Sequence, residues 1–217
     1  IYSIERTMDM LNQLSDELNI DSFFLAGNSM GGYISWNFAI NYPEKVKRLI
    51  LIDAAGYSFE MPMMLKLLDT PVLKDSMAFI TPKFVVTQTL NEVYGDGSKV
   101  TDATIERYHQ MMLREGNRQA VVSVLQTLTD INTDGIQQVK VPTLIQWGEK
   151  DAWIPLAHAQ QFADEIEGAK LITYPGVGHI PMEEIPVKTA EDAKKFLTLV
   201  IEKPKTIAPK PVTPVVL

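Results

Sequence analysis

The hydrophobic positions of this chain alternate between two periods. Ile4, Met8, Leu11, Leu14 and Leu18 recur at three- and four-residue steps, which predicts one apolar stripe on an amphipathic helix within residues 1–19. Asn19-Ile20-Asp21 makes a turn, and Phe23-Phe24-Leu25-Ala26 is a short apolar run that reads as a strand buried on both faces. Helical spacing returns over 30–41 and stops at Tyr42-Pro43. Leu49-Ile50-Leu51-Ile52 predicts a second buried strand. From 57 to 136 the chain reads as helix-length segments broken by Pro62, Pro71, Pro82, Gly95, Gly97 and Gly116, with no strand of the earlier kind. Strands follow at 143–147 and 171–174, each trailed by a helix, near 156–167 and near 189–201.

Strands alternating with helices predict an α/β fold whose parallel sheet is joined by right-handed crossovers. The expected division is 1–56 and 137–203 for the sheet and 57–136 for an all-helical insertion at one strand end. Residues 204–217, with Pro204, Pro209, Pro211 and Pro214, read as a flexible or extended tail.

Composition narrows the function classes. The chain has 217 residues, 46% hydrophobic and 22% charged, enough for one buried core with an insertion. No apolar run approaches the roughly 18 residues of a membrane helix. The 20 basic and 27 acidic residues give a net charge of −7, and no basic stripe with aromatics appears, so nothing favours a nucleic-acid partner. Without cysteine there are no disulfides, thiol nucleophiles or thiolate metal sites. His109, His158 and His179 lack the short spacing of a zinc site. The chain opens on Ile1 with no signal-like segment, which suggests a missing start and leaves the compartment open.

The chemistry concentrates at strand ends. Gly27-Asn28-Ser29-Met30-Gly31 joins a predicted strand to a predicted helix, a setting that forces serine into a tight turn with its hydroxyl above the sheet edge. The flanking glycines are expected because side chains there would collide with strand or helix, and Gly32 lets the helix pack close. Asp151 follows the strand 143–147, and His179 follows 171–174. In a parallel sheet the carboxyl ends of all strands share one rim, so Ser29, Asp151 and His179 are expected together. Serine is a weak nucleophile until an imidazole takes its proton, and a carboxylate fixes the imidazole's tautomer. Taken singly, Asp151 could be a turn acid and His179 a loop histidine; three such residues in this order are harder to dismiss.

Through GNSMGG (27–32), LILIDAAGY (49–57), WGEKDAWIP (147–155) and GVGHIPMEE (176–184), the chain resembles the α/β-hydrolase superfamily from Ile1 to about Lys203. The resemblance implies Ser29 as nucleophile, His179 as general base and then acid, Asp151 as the orienting acid, and the Met30 N–H as an oxyanion donor. It also implies that 57–136 is a helical cap over the substrate, with no metal or organic cofactor. Complete members carry further strands before this point and a His-Gly element that supplies a second oxyanion donor. No His-Gly dipeptide occurs here, so the expectation is a fragment of a longer enzyme, or one completed by another segment.

GNSMGG also resembles the motif of carbon–carbon bond hydrolases acting on aromatic ring-cleavage products, in which a cap arginine binds a substrate carboxylate. Arg107 resembles that position loosely; the other reading is a solvated helix-face charge. Ile180 and Pro181 after His179 depart from that subfamily and resemble general esterases. Asn28, beside the nucleophile, and Trp153, beside Asp151, are candidate substrate contacts, although Trp153 reads first, with Trp147, as packing of the strand end. His158 reads as a surface or cap position and His109 as partly buried or exposed without a role. The methionines of 57–136 (Met61, Met63, Met64, Met77, Met111 and Met112) read as core filling or as an adaptable pocket. The function expected is serine hydrolysis of small to medium apolar carboxylic esters. A carbon–carbon hydrolase and a non-catalytic binding module are the alternatives.

Overall fold

The structure, a computed structural model, describes residues 3–58, 81–127 and 133–199. Four described strands, β1 (Phe23–Asn28), β2 (Val46–Ile52), β3 (Thr143–Gly148) and β4 (Lys170–Tyr174), form one sheet in the order β1-β2-β3-β4, parallel at every pairing. Asn28 pairs with Ile52, Ile52 with Gln146, and Gln146 with Ile172, so this row sets one level near the carboxyl rim.

Side-chain alternation separates the two faces of the sheet. Leu49, Leu51, Ile145 and Trp147 join one core cluster with Trp36, Phe38 and Phe162, while Ile50 and Leu144 join another with Phe196. The first face is covered by α2 (Met30–Asn41) and by α6 (Leu156–Glu165), the second by α7 (Pro186–Thr198). β3 is buried at every position, as expected of an interior strand covered on both faces. Trp36, fully buried, donates its indole N–H to the Ala55 carbonyl at 3.0 Å, so its polar edge is satisfied inside the core.

Helix α1 (Ile4–Glu17) is capped by the Ser3 hydroxyl, which accepts the Arg6 N–H. Ile4, Met8 and Leu11 pack on the first core, whereas Leu14 and Leu18, expected on the same stripe, are exposed. A second correction concerns β1. It ends the described sheet, its burial alternates, and Phe24 is 51% exposed rather than covered on both faces.

Between β2 and β3 the described elements are α3 (Lys83–Val93), α4 (Asp102–Leu113), α5 (Asn117–Thr127) and short 3₁₀ turns. No strand occurs there among the described residues. Met61, Met63, Met64, Met77 and the tail 204–217 lie outside the described residues. Val86, Leu90, Val93 and Tyr94 form a cluster with Ile180, Trp153 and Met182, which seats α3 on the loop that carries His179. No described helix is long and apolar enough to cross a membrane.

Candidate active site

Ser29 links β1 to α2 with φ 53° and ψ −120°, a strained conformation for a residue with a Cβ. The surroundings hold it there. Its N–H donates to the Ile52 carbonyl at 3.1 Å, and its own carbonyl accepts the Ala55 N–H at 3.0 Å. A Cβ on Gly27 would lie 2.1 Å from the Gly31 carbonyl oxygen, and one on Gly32 would lie 2.4 Å from Ala54 Cβ, so both positions demand glycine. Gly31 differs from expectation: nothing lies within 4 Å of where its Cβ would be. Met30 is the first residue of α2, so its N–H has no intrahelical acceptor.

Asp151 and His179 meet because two loops touch backbone to backbone. A Cβ on Gly148 would fall 2.0 Å from the Gly178 carbonyl oxygen, and the Lys150 N–H donates to the Val177 carbonyl at 2.8 Å. His179 Nδ1 lies 2.7 Å from Asp151 Oδ2, with side chains 2% and 0% exposed. The other Asp151 oxygen accepts the N–H groups of Trp153 at 2.7 Å and Ile154 at 3.0 Å. A carboxylate can only accept, so Nδ1 carries the proton and Nε2 presents a lone pair. That Nε2 is buried without a hydrogen-bond partner. Ser29 and His179 both line one cavity of about 360 Å³, yet the Ser29–Nε2 hydrogen bond is not closed. Such contacts in unliganded enzymes are commonly long and tighten when substrate arrives.

The remaining lining is mostly apolar, with Val85, Val86, Leu90, Val121 and Met182 in the same cavity as Ser29 and His179. Asn28 reaches this cavity, but its amide is engaged in donating to the Ile52 carbonyl at 3.1 Å and the His179 carbonyl at 3.0 Å. Trp153 also lines the cavity, its ring 5.3 Å from that of His179. Arg107 is not brought to the cavity. Its side chain is 56% exposed and pairs with Glu183 at 2.5 Å. Tyr108 beside it does line the cavity and donates to Glu183 at 2.7 Å; burial, then that hydrogen bond, push its hydroxyl pKa upward. Met112 lines the cavity as well. His109 is part-buried against the Thr81 carbonyl at 3.0 Å. His158 is buried rather than on the surface, edge-on to Tyr57, and burial lowers its proton affinity.

Two acids stand out that the sequence reading left unassigned. Asp53 follows β2 with φ 42°, is fully buried, and accepts the Gly148 N–H at 2.9 Å. Burial, then the charge of Asp151, hold its carboxyl well above the usual carboxylate range, against the pull of the Gly148 N–H. One ligand atom each from Asp53, Asp151 and His179 lies within 4.8 Å of the other two, a set that could hold a cation. Asp151 and His179 are already engaged with each other at 2.7 Å, however. The rim rule that located Asp151 also covers Asp53, one residue past a strand end, and would have found it. The second acid is Glu184, whose buried carboxylate accepts the N–H groups of Gly95 and Gly178 at 2.9 Å and of Asp96 at 3.1 Å. No local pattern announces such contacts.

The chain is similar to known proteins over most of its length. A dienoic acid hydrolase of Metapseudomonas resinovorans, the 2-hydroxy-6-oxo-6-(2'-aminophenyl)hexa-2,4-dienoic acid hydrolase, is 26% identical over 91% of this chain and 67% of its own length. Lipase 3 of Moraxella sp. is 30% identical over 79% of this chain and 55% of its own. A meta-cleavage product hydrolase from Pseudomonas fluorescens superposes with a TM-score of 0.80 at 22% identity, covering 91% of this chain and 72% of that one. The chain spans 62% of the length of an uncharacterized Mycobacterium tuberculosis relative. The family described as alpha/beta hydrolase fold matches residues 2–186, most of the chain and all three rim loops. The protein therefore belongs to the alpha/beta hydrolase fold family.

Proposed function

We propose that this chain carries the catalytic centre of a serine hydrolase that cleaves carboxylic esters of apolar acids or alcohols. The observation that carries the reading is the buried 2.7 Å His179–Asp151 pair, whose free Nε2 lines the same cavity as the strained Ser29. Nε2 takes the Ser29 proton as Oγ attacks the ester carbonyl, and the imidazolium is stabilised by Asp151. The Met30 N–H donates to the resulting oxyanion. His179 then protonates the leaving alcohol, and the same nitrogen activates water to release the acid. The helical segment between β2 and β3 acts as the cap, and its apolar lining supports an apolar substrate.

A fluorophosphonate probe on the full-length protein tests this reading. Ser29 becomes labelled, Ser29→Ala abolishes labelling and turnover, and His179→Ala suppresses both. Labelling that persists in Ser29→Ala would sink the reading, as would absence of any ester turnover, which would favour a binding module. The similarity to the dienoic acid hydrolase supports a second reading, cleavage of a carbon–carbon bond in a vinylogous diketone, with the same nucleophile and base.

A further inference from the structure

Behind the Ser29–His179–Asp151 arrangement lies a second carboxyl group that the acyl-transfer scheme does not use. Asp53 sits at the carboxyl end of β2, fully buried, in one cluster with Asp151 and His179. Two carboxylates held so close and away from water do not both ionise. The donor inventory decides which one keeps its charge. Asp151 accepts three donors: the Trp153 N–H at 2.7 Å, the Ile154 N–H at 3.0 Å and His179 Nδ1–H at 2.7 Å. Asp53 accepts the Gly148 N–H at 2.9 Å on Oδ1, while Oδ2 is buried and accepts no hydrogen bond.

The other titratable groups near the pair bring no fixed positive charge. Tyr174, at the end of β4, is occupied by Gln146 at 2.7 Å and Asp192 at 3.1 Å. His158, on α6, is buried and disfavours protonation. The backbone is committed as well: the Asp53 N–H donates to the Gln146 carbonyl at 3.0 Å, and its left-handed φ persists with that N–H and the side-chain Oδ1 both held.

We propose that Asp53 is a positioning residue for this site: a neutral carboxylic acid that donates its O–H to Asp151 and thereby divides that carboxylate's charge between itself and His179. The proposal rests on the triad reading above. A neutral donor on Asp151 draws negative charge away from the imidazole, so protonated His179 gains less and the ring stays a free base at lower pH. The same O–H fixes the plane of the Asp151 carboxylate without adding a second negative charge.

The sign of a pH shift separates the possibilities. Asp53→Leu removes the donor, and the acidic limb of kcat/KM for an ester then moves upward by roughly 0.5–1 pH unit. Asp53→Asn restores an N–H donor toward Asp151 and a carbonyl for the Gly148 N–H, and brings the limb back toward the wild-type position. A downward shift in both variants would mean an ionised Asp53, and an unmoved limb in Asp53→Leu would mean no coupling; either result overturns the proposal. Should Asp53→Leu fail to fold, infrared spectroscopy decides. A protonated-carboxyl C=O stretch at neutral pH is present in the wild type and in Ser29→Ala and absent in Asp53→Asn; its absence from the wild type overturns the proposal. A wild type that shows the band yet takes up no probe would refute the hydrolase reading while leaving the neutral acid in place.

Discussion

Glu184 Oε2 accepts the N–H of Gly178 at 2.9 Å, one residue before His179, and the Gly95 N–H at the same distance. One buried carboxylate thus fastens the histidine loop to the chain leaving α3, with Lys99 Nζ 3.3 Å from its other oxygen. Glu184→Ala would strand three backbone donors and is expected to cost roughly 3–5 kcal/mol. Glu184→Gln keeps one acceptor oxygen but turns an N–H₂ toward donors, and is expected to fall between the two. Urea denaturation of the three proteins checks the order, and a Glu184→Ala loss below about 1 kcal/mol would show the contacts to be incidental.

The glycines around Ser29 are not equivalent. Gly27→Ala drives a methyl to 2.1 Å from a backbone oxygen that cannot swing aside, so a loss of about 3 kcal/mol or more is expected. Gly31→Ala meets nothing within 4 Å, lies in α2, and is expected to change stability by less than about 1 kcal/mol. Thermal melts of the two variants settle it; equal losses would contradict the packing described.

What could be read in advance was what depends on local pattern. Apolar runs bounded by glycine and proline locate β3 and β4, and the rim rule assigns Ser29, Asp151 and His179 to one edge. Contacts between distant chain segments could not be read this way. Glu184 grips Gly95, 89 positions earlier, and a glutamate on a four-residue helix looks like any solvated acid. Phe24 belongs to a run as apolar as that of β2, yet burial depends on what covers a strand and not on the run itself. His158 follows a proline at a helix start, where a surface position is the default, and is buried because Tyr57 packs over it.

The raised proton affinity of Asp53, caused first by burial, has a thermodynamic signature. Above the ordinary carboxylate range of about pH 4 the unfolded chain has released this proton and the folded chain still holds it. Stability therefore falls as pH rises, by up to about 1.4 kcal/mol per unit from this group alone, until the folded carboxyl ionises. Asp53→Asn removes the term, so its stability relative to wild type is expected to grow as pH rises above about 4, until the folded carboxyl ionises. His158 works in the opposite direction, since its lowered proton affinity costs stability as pH falls below about 6.5, but it is common to both proteins and cancels. Denaturation midpoints across that range test the prediction; a difference that is flat or shrinks with pH would contradict it.

Arg107 separates the ester reading from the carbon–carbon reading. Its guanidinium is tied to Glu183 at 2.5 Å on a half-exposed surface, outside the cavity that holds Ser29 and His179. An exposed pair of this kind contributes at most about 1 kcal/mol, so Arg107→Ala is expected to fold normally. Its effect on kcat/KM for a neutral apolar ester should stay under about threefold, or about 0.7 kcal/mol. If the physiological substrate is instead an acidic dienoate, substrate entry has to pull Arg107 from Glu183 toward the carboxylate. The variant would then lose tenfold or more on that substrate, about 1.4 kcal/mol, while ester turnover stayed level. Steady-state kinetics with both substrates, in wild type and Arg107→Ala, distinguish the two, and a selective loss on the dienoate would displace the ester reading.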